Sequence, residues 1–306
     1  MINTIYIGYD PREKVAYDVA EYSIRARACR SVDIRPLKLD EVRNAGILTR
    51  PIEKKDGRLY CPISQAPMAT EFAISRFCVP FIHKPELHDI EFSRVDGSKF
   101  RQPFTTDAWA LFVDCDVLLL ADVNDLFALA DDKYAVLVVK HNCDQYGYVE
   151  GWLKCGCKIK FIKESVAGAS VIKCEKHGPQ AVEKTGKAVF PDEIKKMDNQ
   201  LQTFYSRKNW SSVVLWNVTH PANQHLTLEA LNTWPGRDLH AFKWLKDDEI
   251  GELPLEWNYL VGVSPKIERP KLVHMTLGTP NIPGYENCEF ADEWRREFGK
   301  MTCNES

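Results

Sequence analysis

Ala110-Leu111-Phe112-Val113-Asp114-Cys115-Asp116-Val117-Leu118-Leu119-Leu120-Ala121-Asp122-Val123 is the stretch whose reading decides the fold. An apolar run enters from Trp109, another leaves through Leu120, and two carboxylates one residue apart sit between them. Leu111 to Val113 is short and continuously apolar, the pattern of a buried strand, and it ends at Asp114. Two ionised carboxylates beside such a run are costly unless something positive meets them. A divalent cation with oxygen ligands, and a phosphorylated substrate behind it, meets that need. The plainer alternative is that both aspartates cap the turn and helix that follow. Their place at the carboxyl end of a buried strand fits a ligand site better.

Working outward, Thr4-Ile5-Tyr6-Ile7-Gly8-Tyr9-Asp10 reads as a first buried strand. Pro11-Arg12-Glu13 then opens a helix, with Asp10 as N-cap and Pro11 at its first position. Val32 to Leu39 is a second strand, so the chain starts as strand, helix, strand, the beginning of a Rossmann-like parallel sheet. There is no GxGxxG after the first strand, which disfavours a dinucleotide. Asp10 either caps its helix or bonds the base of a nucleotide lying across the strand ends, with Gly8 and Tyr9 beside it; the two roles can coexist.

Asn44 to Ala66 reads as a polar loop, and Met68 to Ile82 as a helix with Thr70 as N-cap. Arg76 lies inside that helix among Phe72 and Phe77, where a guanidinium needs an anionic partner. After the aspartates come a short helix, Asp122 to Leu129, and a strand, Tyr134 to Val139. Asn209 to Asn217 is a further buried strand, Leu226 to Leu231 is helical, Pro270 to Thr276 is a last strand and Glu289 to Phe298 a terminal helix. His274 ends its strand before a Gly/Pro turn, and imidazole is an acceptable third Mn²⁺ ligand beside two carboxylates. Gly278 lets backbone N–H groups approach a phosphate. The block 141–194 is the least legible part and reads as an insertion facing the acceptor side. Within it, His141-x-Cys143, Cys155-x-Cys157 and Cys174 suggest either a structural zinc knot or coincidence in a chain with 10 cysteines; the CxC spacing is unusual for zinc.

Composition is that of an ordinary globular protein, 306 residues with a formal net charge of −3. Lys+Arg (40) and Asp+Glu (43) nearly balance and are dispersed, which argues against a nucleic-acid partner. The N-terminus has no signal-like pattern and no apolar run reaches spanning length, so a cytoplasmic protein without its own anchor is expected.

These residues together resemble a family, the GT-A-fold glycosyltransferases, nearest to family 8, the group of glycogenin and of bacterial lipopolysaccharide galactosyl- and glucosyltransferases. Phe112-Val113-Asp114-Cys115-Asp116-Val117-Leu118, with Asp122-Val123-x-x-Leu126 downstream, is similar to the family's DxD segment. Ile74-Ser75-Arg76-Phe77-x-Val79-Pro80 resembles the helix whose arginine lies near the donor. Trp210 to Asn217 is similar to an N-A-G-containing strand, with Trp210-Ser211-Ser212 in place of Asn-Ala-Gly. Leu253-Pro254-x-x-Trp257-Asn258 and Lys271 to Gly278 resemble two further segments; Thr279-Pro280-Asn281 replaces Lys-Pro-Trp, so one phosphate-binding lysine is missing. Asp238-Leu239-His240 is the best counterpart of the family's Asp-Gln pair.

The resemblance implies a mixed, mostly parallel α/β sheet flanked by helices in one domain, 1–306. It implies Mn²⁺ or Mg²⁺ on Asp114, Asp116 and His274, and a UDP-sugar held by Gly8, Tyr9, Asp10, Arg76, Asp114, Cys115 and Gly278. Arg76 and Asp238 would serve catalysis, and a hexose would pass with retention to a glycan or other acceptor. Two rivals remain: a phosphatase with an aspartyl nucleophile, and a fold-mate that binds a nucleotide sugar without turnover.

Overall fold

The structure is a computed structural model. It describes residues 2–55, 57–93, 98–106, 108–141, 207 and 209–304, with short strand pieces between 165 and 201. The expected 141–194 insertion and the cysteine cluster therefore lie outside the described residues, apart from His141 and those pieces.

β1 (Asn3–Gly8) is buried along nearly its whole length, as a strand covered on both faces must be. Asp10 caps the single 3₁₀ turn Pro11–Glu13, which runs into α1 (Lys14–Arg27). That helix buries Ala16, Tyr17, Val19, Ala20 and Ile24. β2 (Val32–Leu37) pairs in parallel with β1, Asn3 against Val32 through Gly8 against Leu37. After α2 (Leu39–Asn44), the stretch expected to be a loop forms a small antiparallel sheet, β3 (Glu53–Lys55), β4 (Arg58–Cys61) and β5 (Ala66–Pro67).

The helix expected over Met68 to Ile82 is broken into α3 (Phe72–Ser75), a 3₁₀ turn Arg76–Cys78, and α4 (Val79–Ile82). Pro80 is the reason: it has no N–H to give the Arg76 carbonyl, so a continuous ladder cannot pass this point. A hairpin follows, β6 (Glu86–Ser93) and β7 (Lys99–Thr106), to which the sequence reading assigned no structure.

Next come β8 (Trp109–Val113), β9 (Val117–Leu119), α5 (Asn124–Phe127) and β10 (Val136–Val138). Beyond the short pieces, β11 (Val213–Asn217) starts later than expected, because Trp210–Ser212 form a 3₁₀ turn after Asn209, at φ 63. The remaining elements are α6 (Leu228–Thr233), α7 (Gly236–His240), β12 (Ile250–Glu252), β13 (Tyr259–Leu260), β14 (Leu272–His274) and α8 (Ala291–Asn304).

Six strands make the central sheet in the order β12-β10-β11-β8-β1-β2. Three of its five pairings are parallel; β11 runs antiparallel to both neighbours. A second sheet, β13-β14-β9, lies beside it. The chain leaves the central sheet at Val113 and enters the second at Val117, so the two aspartates are the bridge between sheets. Alternation within β9 serves both sides: Val117 and Leu119 join the main core, while Leu118 packs with Val19, Tyr259, Val273, Met275 and Trp294.

Candidate metal and donor site

Strand register assembles the site. β14 runs antiparallel to β9 with His274 opposite Val117, and the Met275 N–H donates to the Asp116 carbonyl at 2.8 Å. On the other side, the Asp114 N–H donates to the Ser212 carbonyl at 2.9 Å, extending the β8–β11 ladder past Val113. Asp114 and Asp116, one residue apart, and His274, distant from both in sequence, thus offer one ligand atom each within 4.8 Å. His274 is 2% exposed.

The hydrogen bonds around His274 orient its ring. The Asn258 side-chain N–H₂ donates to Ser212 Oγ at 2.9 Å and to the Asn209 carbonyl at 3.4 Å, so Asn258 Oδ1 is the acceptor facing His274 Nδ1 at 3.0 Å. Nδ1 therefore faces Asn258, and Nε2 is the ring nitrogen turned to Asp116 Oδ1, 3.2 Å away, and toward Asp114 Oδ2, 3.9 Å away. One imidazole nitrogen and two carboxylates converging in one place are a ligand set that could hold a cation. Hard oxygens plus one imidazole suit Mn²⁺ or Mg²⁺, and an outer partner such as Asn258 is the usual way a ligating imidazole is oriented.

Arg76 meets the aspartate pair, as its apolar setting demanded. Its Nη1 lies 2.8 Å from Asp114 Oδ1 and donates to the Ser211 carbonyl at 2.9 Å; its Nε donates to the Phe72 carbonyl at 3.3 Å. The guanidinium carbon stands 5.4 Å from the Phe72 ring centre and 5.2 Å from that of Phe112. The helix break at Pro80 thus positions a charged group at the sheet junction.

The structure gives the other expected ligand residues partners of their own within the chain. The Asp10 carboxylate is fully buried and accepts from Arg12 N (2.9 Å), Arg12 Nε (3.1 Å), Arg12 Nη2 (2.7 Å) and Glu71 N (3.0 Å). Burial alone would raise this carboxyl, but the Arg12 and Glu71 donors outweigh it and hold it below the usual range. Of its two expected roles the structure realises the cap, which also ties α1 to the turn leading to Arg76. Gly278 was expected to admit a phosphate to the backbone, and Gly8 to lie beside the nucleotide. A Cβ at Gly8 would lie 2.5 Å from the Phe72 ring, and one at Gly278 2.5 Å from the Tyr285 ring. Both glycines are needed to seat an aromatic ring, and the Gly278 N–H is given to the Met275 carbonyl at 2.9 Å. Tyr9 packs edge-on against Tyr17, ring centres 5.3 Å apart. Asp238 sits against Lys243 (2.8 Å) and Arg237 (3.6 Å), with no described bond to the aspartate pair.

Cys115 is fully buried and donates its thiol to Glu13 Oε2 at 2.8 Å. Glu13 gave no signal in the sequence beyond its place in the first turn of a helix. Burial first, then the charges of Asp116, Asp10 and Asp114, push its carboxyl up to about 8. A proton held more tightly in the folded state stabilises the fold below the ordinary glutamate range, and that contribution is lost as pH rises toward about 8. Melting of the chelated protein should therefore fall across this interval, and Glu13→Gln should remove much of that slope. Parallel pH profiles for the two proteins would refute it. His141, also missed as a neighbour of this site, is held neutral: burial and then His274 push its imidazole down to about 3.

No family model matches the chain. Protein CDI of Arabidopsis thaliana is 35% identical over 299 residues, covering 96% of this chain and 85% of that protein. The chain belongs to the Protein CDI family. Among solved structures, the apo WbbM bifunctional glycosyltransferase superposes with a TM-score of 0.50 at 16% identity over 97% of this chain. GlyE of Streptococcus pneumoniae TIGR4 gives 0.46 at 13%, and the galactosyltransferase LgtC, bound to donor and acceptor sugar analogs, 0.48 at 10%. The chain spans about half of WbbM (49%), 60% of GlyE and 95% of LgtC. The likeness to WbbM is one of fold, and with the strand order above it makes this a GT-A architecture. Among the described residues no helix is long and apolar enough to cross a membrane.

Proposed function

We propose that this protein is a metal-dependent glycosyltransferase, similar to family 8, moving a hexose from a UDP-sugar to a glycan or other acceptor with retention. The observation that carries the reading is the convergence of Asp114, Asp116 and His274 Nε2 within 4.8 Å at the junction of two sheets in a GT-A fold. Asp114, Asp116 and His274 would hold Mn²⁺ or Mg²⁺, which when bound neutralises charge on a departing diphosphate. Arg76 fixes the Asp114 carboxylate and adds positive potential at the same place. Asn258, itself bonded to Ser212, orients the His274 ring so that Nε2 faces the two aspartates. The backbone at Gly8, Tyr9 and Cys115 remains our choice for the nucleotide side, and Asp238, held by two cationic side chains, for the outer, acceptor side. We treat 1–306 as one domain with an acceptor-side insertion at 141–194. The cytoplasm is the compartment we assign, since the described cysteines form no disulfide with one another.

One observation favours a second reading, a fold-mate that binds a nucleotide sugar without turnover. The Gly278 N–H is already bonded, and Thr279-Pro280-Asn281 supplies no lysine after it. A single experiment separates the two. A panel of UDP-sugars is offered with Mn²⁺ or with chelator, and both melting temperature and UDP release are followed. Transferase action gives Mn²⁺-dependent stabilisation by one sugar nucleotide together with UDP release. Stabilisation without release selects the binding protein, and no response to any nucleotide sugar refutes both.

A further inference from the structure

Arg50 is a buried charge that the metal and donor site does not use. The residue is 1% exposed, yet among the described residues no carboxylate pairs with it. Its Nη1 donates to the Leu231 carbonyl at 3.0 Å and its Nη2 to the Trp234 carbonyl at 2.9 Å, while its buried Nε has no hydrogen-bond partner. Two carbonyls offer dipoles but no net charge. A guanidinium cannot shed its proton, so burial this deep calls for an anion.

The sulfur of Cys61 stands where that anion is needed. Cys61 is buried, and its Sγ lies 3.2 Å from the same Nη2. It also accepts from the Ser64 N–H at 3.4 Å and from Ser64 Oγ at 3.2 Å, and Ser64 Oγ in turn accepts the Gly236 N–H at 2.8 Å. A guanidinium and a backbone N–H can only donate, so toward both of them the sulfur is the acceptor. A neutral thiol accepts weakly, and positive neighbours favour the thiolate. Burial alone would raise this thiol, but the Ser64 donors and Arg50 outweigh it and hold it below the ordinary thiol range.

The chain brings three separate segments to this sulfur. Cys61 ends β4, and Cys61-Pro62-Ile63-Ser64 turns back toward β5, with the Gln65 N–H on the Pro62 carbonyl at 3.2 Å. Asn232 in α6 accepts the N–H groups of Thr49 (2.6 Å) and Arg50 (2.9 Å) and donates to the Ile47 carbonyl at 3.0 Å, which fixes the segment that carries Arg50. A Cβ at residue 236 would lie 3.2 Å from Ser64 Oγ, so the start of α7 rests on the same turn. Other ionisable groups on these elements are engaged elsewhere or face solvent. Arg43 donates to the Arg50 carbonyl, Tyr60 lies under Lys55, Asp238 sits against Lys243 and Arg237, His240 meets Ser211, and Arg58 and Glu229 are exposed.

We propose that Cys61 is a thiolate at neutral pH and the counter-anion of Arg50, the pair forming an acid-labile latch that ties the β4–β5 turn to the junction of α6 and α7. The latch is independent of the transferase reading. Protonation of Cys61 leaves Arg50 buried without its anion, so the junction loosens as pH falls. A thiol that ionises more readily folded than unfolded adds its full stability above the ordinary thiol value of about 8.5 and loses it as pH falls through its folded value.

Thiolate ultraviolet absorbance, taken as wild type minus Cys61→Ser, isolates this one thiol from the 10 cysteines of the chain. At neutral pH the folded difference should equal one thiolate, vanish on acidification and be nearly absent when both proteins are unfolded in denaturant. Cys61→Ala serves for the subtraction where serine is not tolerated. In Arg50→Met the Cys61 titration should move up toward the ordinary value. The melting temperature of wild type should exceed that of Cys61→Ser by more at alkaline than at acid pH. No thiolate difference at neutral pH overturns the proposal, as do melting profiles that run parallel with pH. A Cys61 titration left unchanged in Arg50→Met overturns it too, since Arg50 is then not the partner. If Arg50→Met does not fold, the absorbance and melting of wild type and Cys61→Ser decide by themselves.

Discussion

Arg76→Ala should be the most destabilising single substitution at the site, costing about 3 kcal/mol or more, because it strands a buried charge. The guanidinium is 8% exposed and its Asp114 partner 13%. Its loss removes the salt bridge, leaves the Ser211 carbonyl without this donor and opens space between the Phe72 and Phe112 rings. Melting should fall by roughly 5–10 °C for a chain of this size. Arg76→Lys keeps a charge but lacks the planar fork that reaches Asp114, Ser211 and Phe72 from one residue, so it should recover only part of the loss. Without Arg76, Asp114 and Asp116 lose their nearest fixed cation. Mn²⁺ should then raise the melting temperature of Arg76→Ala by more than it raises that of wild type. Thermal melts with Mn²⁺ and with chelator check both statements. An Arg76→Ala protein that melts like wild type would show the guanidinium to be incidental.

The need for a partner at Arg76 was legible because burying a guanidinium among phenylalanines has one common solution, a nearby anion. Which anion, the aspartate pair or a ligand, the sequence left open; the structure gives Asp114. The break at Pro80 that aims Arg76 was written in the sequence but was overruled in the reading by an apolar pattern that suits one helix. β11 was found for its apolar run, yet its start was misplaced: nothing in Asn209-Trp210-Ser211-Ser212 announces that Asn209 takes φ 63 and reverses the chain. Length and hydrophobicity locate strands well; left-handed residues at their ends are set by tertiary packing.

Ligand residues divide in the same way. Asp114, Asp116 and His274 were found because chemistry needs those side chains at strand ends. Gly278 was chosen for the close approach glycine gives a ligand, and the structure shows that a Cβ there would also meet the Tyr285 ring, as one at Gly8 would meet Phe72. A sequence shows that a position lacks a Cβ and does not show what fills the gap. Ser211 and Ser212 were noticed only as departures from a pattern; their meaning needed Asn258 and His240, which pair with them across 46 and 29 residues. Glu13 could not have been found, since its unusual proton arises from burial against Cys115 and from three aspartates brought together by folding.

Asp116→Asn should abolish metal-linked nucleotide binding while leaving the fold intact or slightly more stable. Two effects of opposite sign are expected from this one change. Without metal, the aspartate's charge lies in a crowded acidic setting, with Asp114 one residue beyond Cys115 and Glu13 raised by its proximity. An amide of the same shape relieves that repulsion and can still hydrogen-bond His274 Nε2, which Asp116 Oδ1 faces at 3.2 Å. The chelated variant should therefore melt at or above the wild-type temperature. With metal the order reverses. Removing an outer partner of a metal ligand typically costs ~10–100-fold in affinity, and losing a charged ligand should cost more than losing Asn258, its neighbour's outer support. Wild type should gain stability with Mn²⁺ plus UDP in proportion to the logarithm of ligand over dissociation constant, and the variant should gain almost nothing. Calorimetry with UDP in Mn²⁺ should give a binding isotherm for wild type and none for Asp116→Asn at concentrations about 100-fold higher. Asn258→Ala should fall between the two. Equal UDP affinity in wild type and Asp116→Asn, with Mn²⁺ present, would remove the metal from this site and with it the chemistry assigned to His274.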